Sequence, residues 1–293
     1  LYLWLFLLSL PFLQAQAQSK LIAEGAFLRQ LSAEYTFTEG PAADKRGNVY
    51  FTDQPNDRIL RWSKKDGTLS VYMEGTGRSN GLYFDRDGDL LACADLNNEL
   101  WEISPDKEAT VLVKDFEGKK LNGPNDLWVD PKGGIYFTDP FYKRNYWTRT
   151  EKEIENENVY YLSPDRKMVT VAATNFVRPN GIVGNRKGTK LYVADINDKK
   201  TYSFTIKPDG TLTDRELFVE MGSDGMTIDK KGNVYLTGNG VTVFNAEGEQ
   251  IEHIPVQERW TANVCFGGKG RKTLFITAMK SVYTLQMRVK GMK

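Results

Sequence analysis

One histidine and two cysteines among 293 residues leave little material for imidazole or thiolate chemistry. A tetrahedral zinc site draws mainly on those residue types, and here Cys93, His253 and Cys265 are widely separated in the chain. A Ser-His-Asp triad is disfavoured too: there is no Gly-x-Ser-x-Gly turn, and the single His253 sits in the strand-like IEHIP, where a structural place is expected. Both cysteines lie in apolar, strand-like runs and are expected to remain free thiols, acting as small hydrophobes. No charge run stands out, with 39 basic against 38 acidic side chains, so the linear sequence offers nothing to a nucleic acid. Phosphate loops and dinucleotide fingerprints are missing as well, because the glycines fall at turns.

The chain has one conspicuous apolar run, Leu1 to Leu13, too short to cross a bilayer and followed by the small-residue pattern Ala15-Gln16-Ala17. It reads as the apolar region and cleavage site of an export signal (residues 1–17), with a basic stretch expected ahead of it. No Cys follows, so no lipoprotein anchor is expected. Residues 18–293 would then form one domain, periplasmic or secreted, with no membrane association after cleavage.

What fills that domain is a repeat. Five times a polar residue is followed five positions later by Asp or Asn and eight positions later by Gly, starting at Glu39, Asn80, Asn125, Asn180 and Asp224. A degenerate sixth copy starts at Asn263. The starts lie 41, 45, 55, 44 and 39 residues apart, the period of a blade-by-blade array. Within each copy an apolar stretch meets an Asp-x-x-Gly or Asn-x-x-Gly turn, in which Asp initiates and Gly supplies positive φ. A β-rich strand follows (VYFT, LLACA, IYFT, LYVA, VYLT, LFIT), then a third and usually a fourth strand. The reading is all-β: a six-bladed β-propeller with four strands per blade. Copy six runs out near Met292, so the segment Lys20 to Phe37, containing EGAFLRQL, is expected to supply the outer strand of the last blade. The long third spacing reflects an insertion from Phe141 to Asn158, which the strand directions place as a lid beside the leading residues. Its acidic half, Glu151 to Glu157, reads as solvated loop.

A propeller's innermost strands surround a channel, so Glu39, Asn80, Asn125, Asn180, Asp224 and Asn263 should converge there. Two carboxylates among neutral amide oxygens suit a divalent cation, Ca²⁺ better than Mg²⁺ or Zn²⁺. The same ring could equally be a polar channel filled with water.

TEGPAADKRGNVYFTD, LNGPNDLWVDPKGGIYFTDP, RPNGI and SDGMTIDKKGNVYLTG, in this order and spacing, resemble the gluconolactonase / senescence marker protein-30 / luciferin-regenerating enzyme family, especially its bacterial gluconolactonase-like members. The likeness covers about Leu31 to Leu285. It implies a calcium-dependent lactonase whose metal is held by Glu39, Asn125, Asn180 and Asp224, with Asp224 as general base or nucleophile. Asn80 and Asn263 remain as channel residues facing substrate, and Asp139 and Tyr142 would contact it from the lid side. A position where the animal sugar lactonases carry a substrate-holding Arg is Gly123 here, so the sugar is not inherited. The resemblance also leaves open hydrolysis of phosphotriesters on the same cage, and a non-catalytic propeller that binds a glycan or a partner at the channel mouth.

Overall fold

Strands buried on both faces read as continuous apolar runs, and the second strand of each repeat is such a run. In a computed structural model describing residues 19–292, Val49–Asp53, Leu90–Ala94, Ile135–Asp139 and Val234–Gly238 are buried almost throughout. The expected export signal lies outside the described residues. Fourth strands such as Ala109–Val113 are largely exposed and alternate less strictly. That gradient from axis to rim is what radial sheets require, since neighbouring blades cover the inner strands and only solvent meets the outermost.

The described residues form six four-stranded antiparallel sheets plus a small hairpin of Asp115–Phe116 with Lys119–Lys120. The innermost strands, one per blade, are Thr38–Ala43, Ser79–Phe84, Leu127–Val129, Pro179–Gly184, Met226–Ile228 and Asn263–Gly267. Each touches the next and the sixth returns to the first, which closes the ring. Closure is fastened by Arg29–Ser32, which pairs antiparallel with Ser281–Gln286 as the outer strand of the sixth blade. The N-terminal segment thus closes the propeller as expected, through Arg29–Ser32 in its middle.

Between blades, aromatic side chains fill the wedge. Tyr136 packs on Tyr161 with ring centroids 4.6 Å apart and stacks on Trp128 at 5.9 Å. Each such fully buried side chain contributes about 1.5–3 kcal/mol relative to exposure. The turns at the far end of the first strands behave as their sequence demands. Asp229 Oδ1 accepts from the amides of Lys231 (2.8 Å) and Asn233 (3.0 Å), and Gly232 takes φ +89°. Cys93 and Cys265 are both free, and His253 lies exposed on an outer strand with Nδ1 3.1 Å from Thr242 Oγ1.

Candidate metal centre at the propeller axis

In the first, third and fourth blades the leading residue is positioned by one repeated device. The Asp ending the second strand accepts from two backbone amides just ahead of the leading residue. Asp53 takes those of Thr36 and Phe37 before Glu39, at 3.0 and 3.2 Å. Asp139 takes Asn122 and Gly123 before Asn125 at 2.9 and 2.7 Å, and Asp195 takes Val177 and Arg178 before Asn180 at 2.6 and 2.9 Å. Asp139 is fully buried in this role, and burial raises its carboxyl to about 7. Its oxygens face the backbone that presents Asn125, not the channel. Asp95 breaks the pattern and holds the lid instead, accepting from Arg144 Nε at 3.0 Å and from the Tyr146 hydroxyl.

Glycine next to the leading residue lets the inner strands crowd the axis. At Gly225 a Cβ would stand 1.9 Å from Asn263 Cγ, and at Gly40, with φ +48°, 2.0 Å from the Asn80 carbonyl oxygen. Both positions exclude a side chain.

At the axis Glu39, Asn80, Asn125, Asn180 and Asn263 are buried, and Asp224 is partly exposed towards the lid. Asn180 Nδ2 donates to Asp224 Oδ1 and to the Tyr142 hydroxyl, both at 2.9 Å. These two acceptors orient the amide and leave Asn180 Oδ1 buried without a hydrogen-bond partner. Asn80 Oδ1 is likewise unpartnered. Glu39 accepts from the Gly40 amide at 2.9 Å, and its carboxyl is held well above the usual range by burial first and by the Asp224 charge second. Burial lifts Asp224 to about 6, opposed by donors at Trp260 Nε1 (2.6 Å) and Asn180. Two carboxylates repel each other beside stranded amide oxygens, opposed at Asp224 by Arg144, which is itself paired with Asp95, and the all-oxygen donor set fits a hard divalent cation. Glu39, Asn125, Asn180 and Asp224 are the residues that would hold it.

Three features of the site escape the repeat pattern. Asp126, next to Asn125, is a third buried carboxylate, raised to about 7 chiefly by burial. Trp260 belongs to the loop before the sixth copy and reaches Asp224 only through folding. Tyr142 is flanked by two guanidinium groups, Arg144 at 5.3 Å and Arg178 at 4.8 Å from its ring centroid. Asp126 had a signal in the sequence as the second half of an Asn-Asp pair, and Tyr142 as an aromatic of the long insertion; Trp260 and the two guanidinium groups over Tyr142 had none.

The lid runs to Asn156, because Glu157 and Asn158 already belong to the third strand of its blade, Glu157–Leu162. Glu151, Lys152, Glu153 and Glu155 are exposed as expected, but Glu157 is buried against Lys152 Nζ at 2.5 Å. On the lid side a hollow of about 420 Å³ lies between Phe37, Arg259, Trp260 and Met279. A separate cavity of about 490 Å³ occupies the channel below the ring, roofed by Gly40, Asp126 and Asn263.

The fold defines a six-bladed propeller whose axial ring of oxygen donors, under a lid, could hold a hard cation. Residues 37–280 match the SMP-30/Gluconolactonase/LRE-like region, and the chain belongs to that family. It is similar to a gluconolactonase of Zymomonas mobilis, 29% identical over 89% of this chain and 81% of that one. It is also similar to the diisopropyl-fluorophosphatase of Loligo vulgaris, 28% identical over 82% and 84% of the two chains. Among solved structures, a gluconolactonase of Xanthomonas campestris superposes with a TM-score of 0.84 at 30% identity, covering 91% of each chain.

Proposed function

We propose that this protein is a hydrolase of sugar-acid lactones that uses one divalent cation, Ca²⁺, held by Glu39, Asn125, Asn180 and Asp224. The observation that carries the reading is the oriented Asn180 amide, whose stranded oxygen sits with two mutually repelling carboxylates beneath a lid. Family membership and the two similar gluconolactonases support the substrate class. When bound, the ion would supply positive charge to the lactone carbonyl oxygen as it becomes an oxyanion.

The chain's own groups do the rest. Asp224 faces the lid side and, ionised, takes a proton from the attacking water as general base. Trp260 and Asn180 each donate to one of its oxygens, which fixes the carboxylate and favours its charged form. Tyr142, Asn80 and Asn263 orient the sugar hydroxyls. Asp139 acts one step removed, by holding the backbone ahead of Asn125. Addition of water across the ring C–O bond gives a hydroxy acid that ionises, so each turnover releases one proton.

The test is proton release from a panel of aldonolactones, with and without chelator. Hydrolysis that EDTA abolishes and Ca²⁺ restores supports the reading, and no lactone turnover in metal-replete protein refutes it. Phosphotriester hydrolysis on the same residues is a second reading, favoured by the similarity to the fluorophosphatase. A fluorophosphate substrate in the same panel decides between them. We further propose export, on the apolar Leu1–Leu13 and the Ala-Gln-Ala that follows; N-terminal sequencing of protein from the exported fraction tests it, and retention of Leu1–Leu13 would refute cleavage.

A further inference from the structure

Where the first strand of each blade turns into the second, the turn requires Asp or Asn at its start and Gly three residues on, and leaves the two residues between free to face solvent. In this chain those free positions are mostly basic. The first blade exposes Lys45 and Arg46 there, the second Arg86, and the third Lys132. The fourth exposes Arg186 and Lys187, the fifth Lys230 and Lys231, and the sixth Lys269.

The acids of the same turns are spent inward. Asp44 Oδ1 accepts from the Asn48 amide at 2.9 Å, and Asp130 and Asp229 accept from the amides of Gly134 and Asn233, each at 3.0 Å. Only Asp87 is an exposed acid in the six turns. None of the nine exposed cations has a carboxylate oxygen within 4.0 Å among the described residues.

The turns gather around one mouth. Lys45, Arg86, Asp130, Arg186 and Arg271 all line the channel cavity on the face away from the lid. Neighbouring turns are tied together, Gly268 N to Gly47 O at 2.8 Å and Arg271 Nη2 to Asp44 O at 3.0 Å. A molecule of formal net charge +1 therefore gathers nine cations without a carboxylate partner around one mouth, and further out on the same end the third-to-fourth-strand turns expose Asp66, Asp106, Asp165 and Asp209 among Lys64, Lys65, Lys107, Lys167 and Lys207.

Against the sequence expectation of no membrane association after cleavage, we propose that this basic end docks the protein flat on an anionic lipid bilayer, with the lid and the oxygen ring facing away into solvent. One observation favours a bilayer over a soluble polyanion. The cations form a crown on the end of the propeller, the shape of a planar partner and not of a groove for a single strand. Attraction of a cation to an anionic leaflet fades within a Debye length of about 8–10 Å, so charges set on one end act together where scattered ones do not.

Sedimentation with vesicles of phosphatidylcholine alone, and of phosphatidylcholine mixed with phosphatidylglycerol, tests the proposal. Binding is expected only to the anionic vesicles and is lost when NaCl rises from about 0.05 to about 0.5 M. The quadruple variant Arg46→Gln, Arg186→Gln, Lys187→Gln, Lys231→Gln should reduce partitioning on the order of 10²-fold or more, at about fivefold per charge, with an unchanged melting temperature. A control on exposed positions of the lid side, Lys114→Gln, Lys119→Gln, Lys199→Gln, Lys280→Gln, should bind as the parent does. Equal loss in both variants, no binding to anionic vesicles, or binding only to a soluble acidic polysaccharide would each overturn it.

Discussion

Asp224→Asn separates the two tasks assigned to Asp224. The carboxylate accepts Trp260 Nε1 at 2.6 Å on one oxygen and Asn180 Nδ2 at 2.9 Å on the other. An amide at position 224 has one oxygen, so its nitrogen must face one of these donors, and an unmade buried hydrogen bond costs about 1–3 kcal/mol. The cheapest relief keeps the oxygen on Trp260 and flips the Asn180 amide to accept. That flip turns the stranded Asn180 oxygen away from the cation position and puts an NH₂ there. Cation affinity should therefore fall for two reasons, the lost charge and the lost ligand. At saturating Ca²⁺ the rate should still be down on the order of 10²–10⁴-fold, the usual contribution of a positioned general base. The assay is kcat on the best lactone, titrated with Ca²⁺. Near-parental kcat at saturation would refute the base assignment and leave Asp224 a ligand only.

Glu39→Gln keeps an oxygen beside the Gly40 amide but removes one charge, so it should weaken Ca²⁺ binding and recover most of its kcat with excess ion. Cation binding should also weaken as pH falls, because Glu39 is held well above the usual carboxylate range and Asp224 at about 6, and the ion must displace their protons. Without cation the sign for folding is the reverse: raised carboxyl pKa values stabilise the fold at low pH, and that stability is lost as pH rises through about 6. Melting temperatures with Ca²⁺ and with EDTA, from pH 5 to pH 8, should diverge with rising pH, and a constant gap would refute the linkage. Gly225→Ala forces a Cβ to within 1.9 Å of Asn263 Cγ and should destabilise the fold by about 1–3 kcal/mol, read by urea unfolding. Replacing the lid segment 141–156 with a short turn should change KM and lactone preference while leaving Ca²⁺ binding in place, as calorimetry would show.

The propeller was legible because each blade repeats one local grammar. A turn that needs Asp and Gly, and a strand buried on both faces, leave marks at a fixed period, and ring closure carries the six leading residues to one axis whatever else the chain contains. The glycines after Glu39 and Asp224 are part of that record, since only Gly admits so close an approach of strands. Other features came from the tertiary structure alone. Trp260 meets Asp224 across 36 residues, and Arg144 and Arg178 meet over Tyr142 from different blades. These contacts obey no period and leave no local signature. The basic end is the clearest case. Its lysines and arginines sit one or two to a turn, roughly forty residues apart as the repeat dictates, each unremarkable in a chain of balanced charge. Their fields add only because closing the ring brings the six turns around one mouth, while the neighbouring aspartates turn inward to bond their own backbone amides.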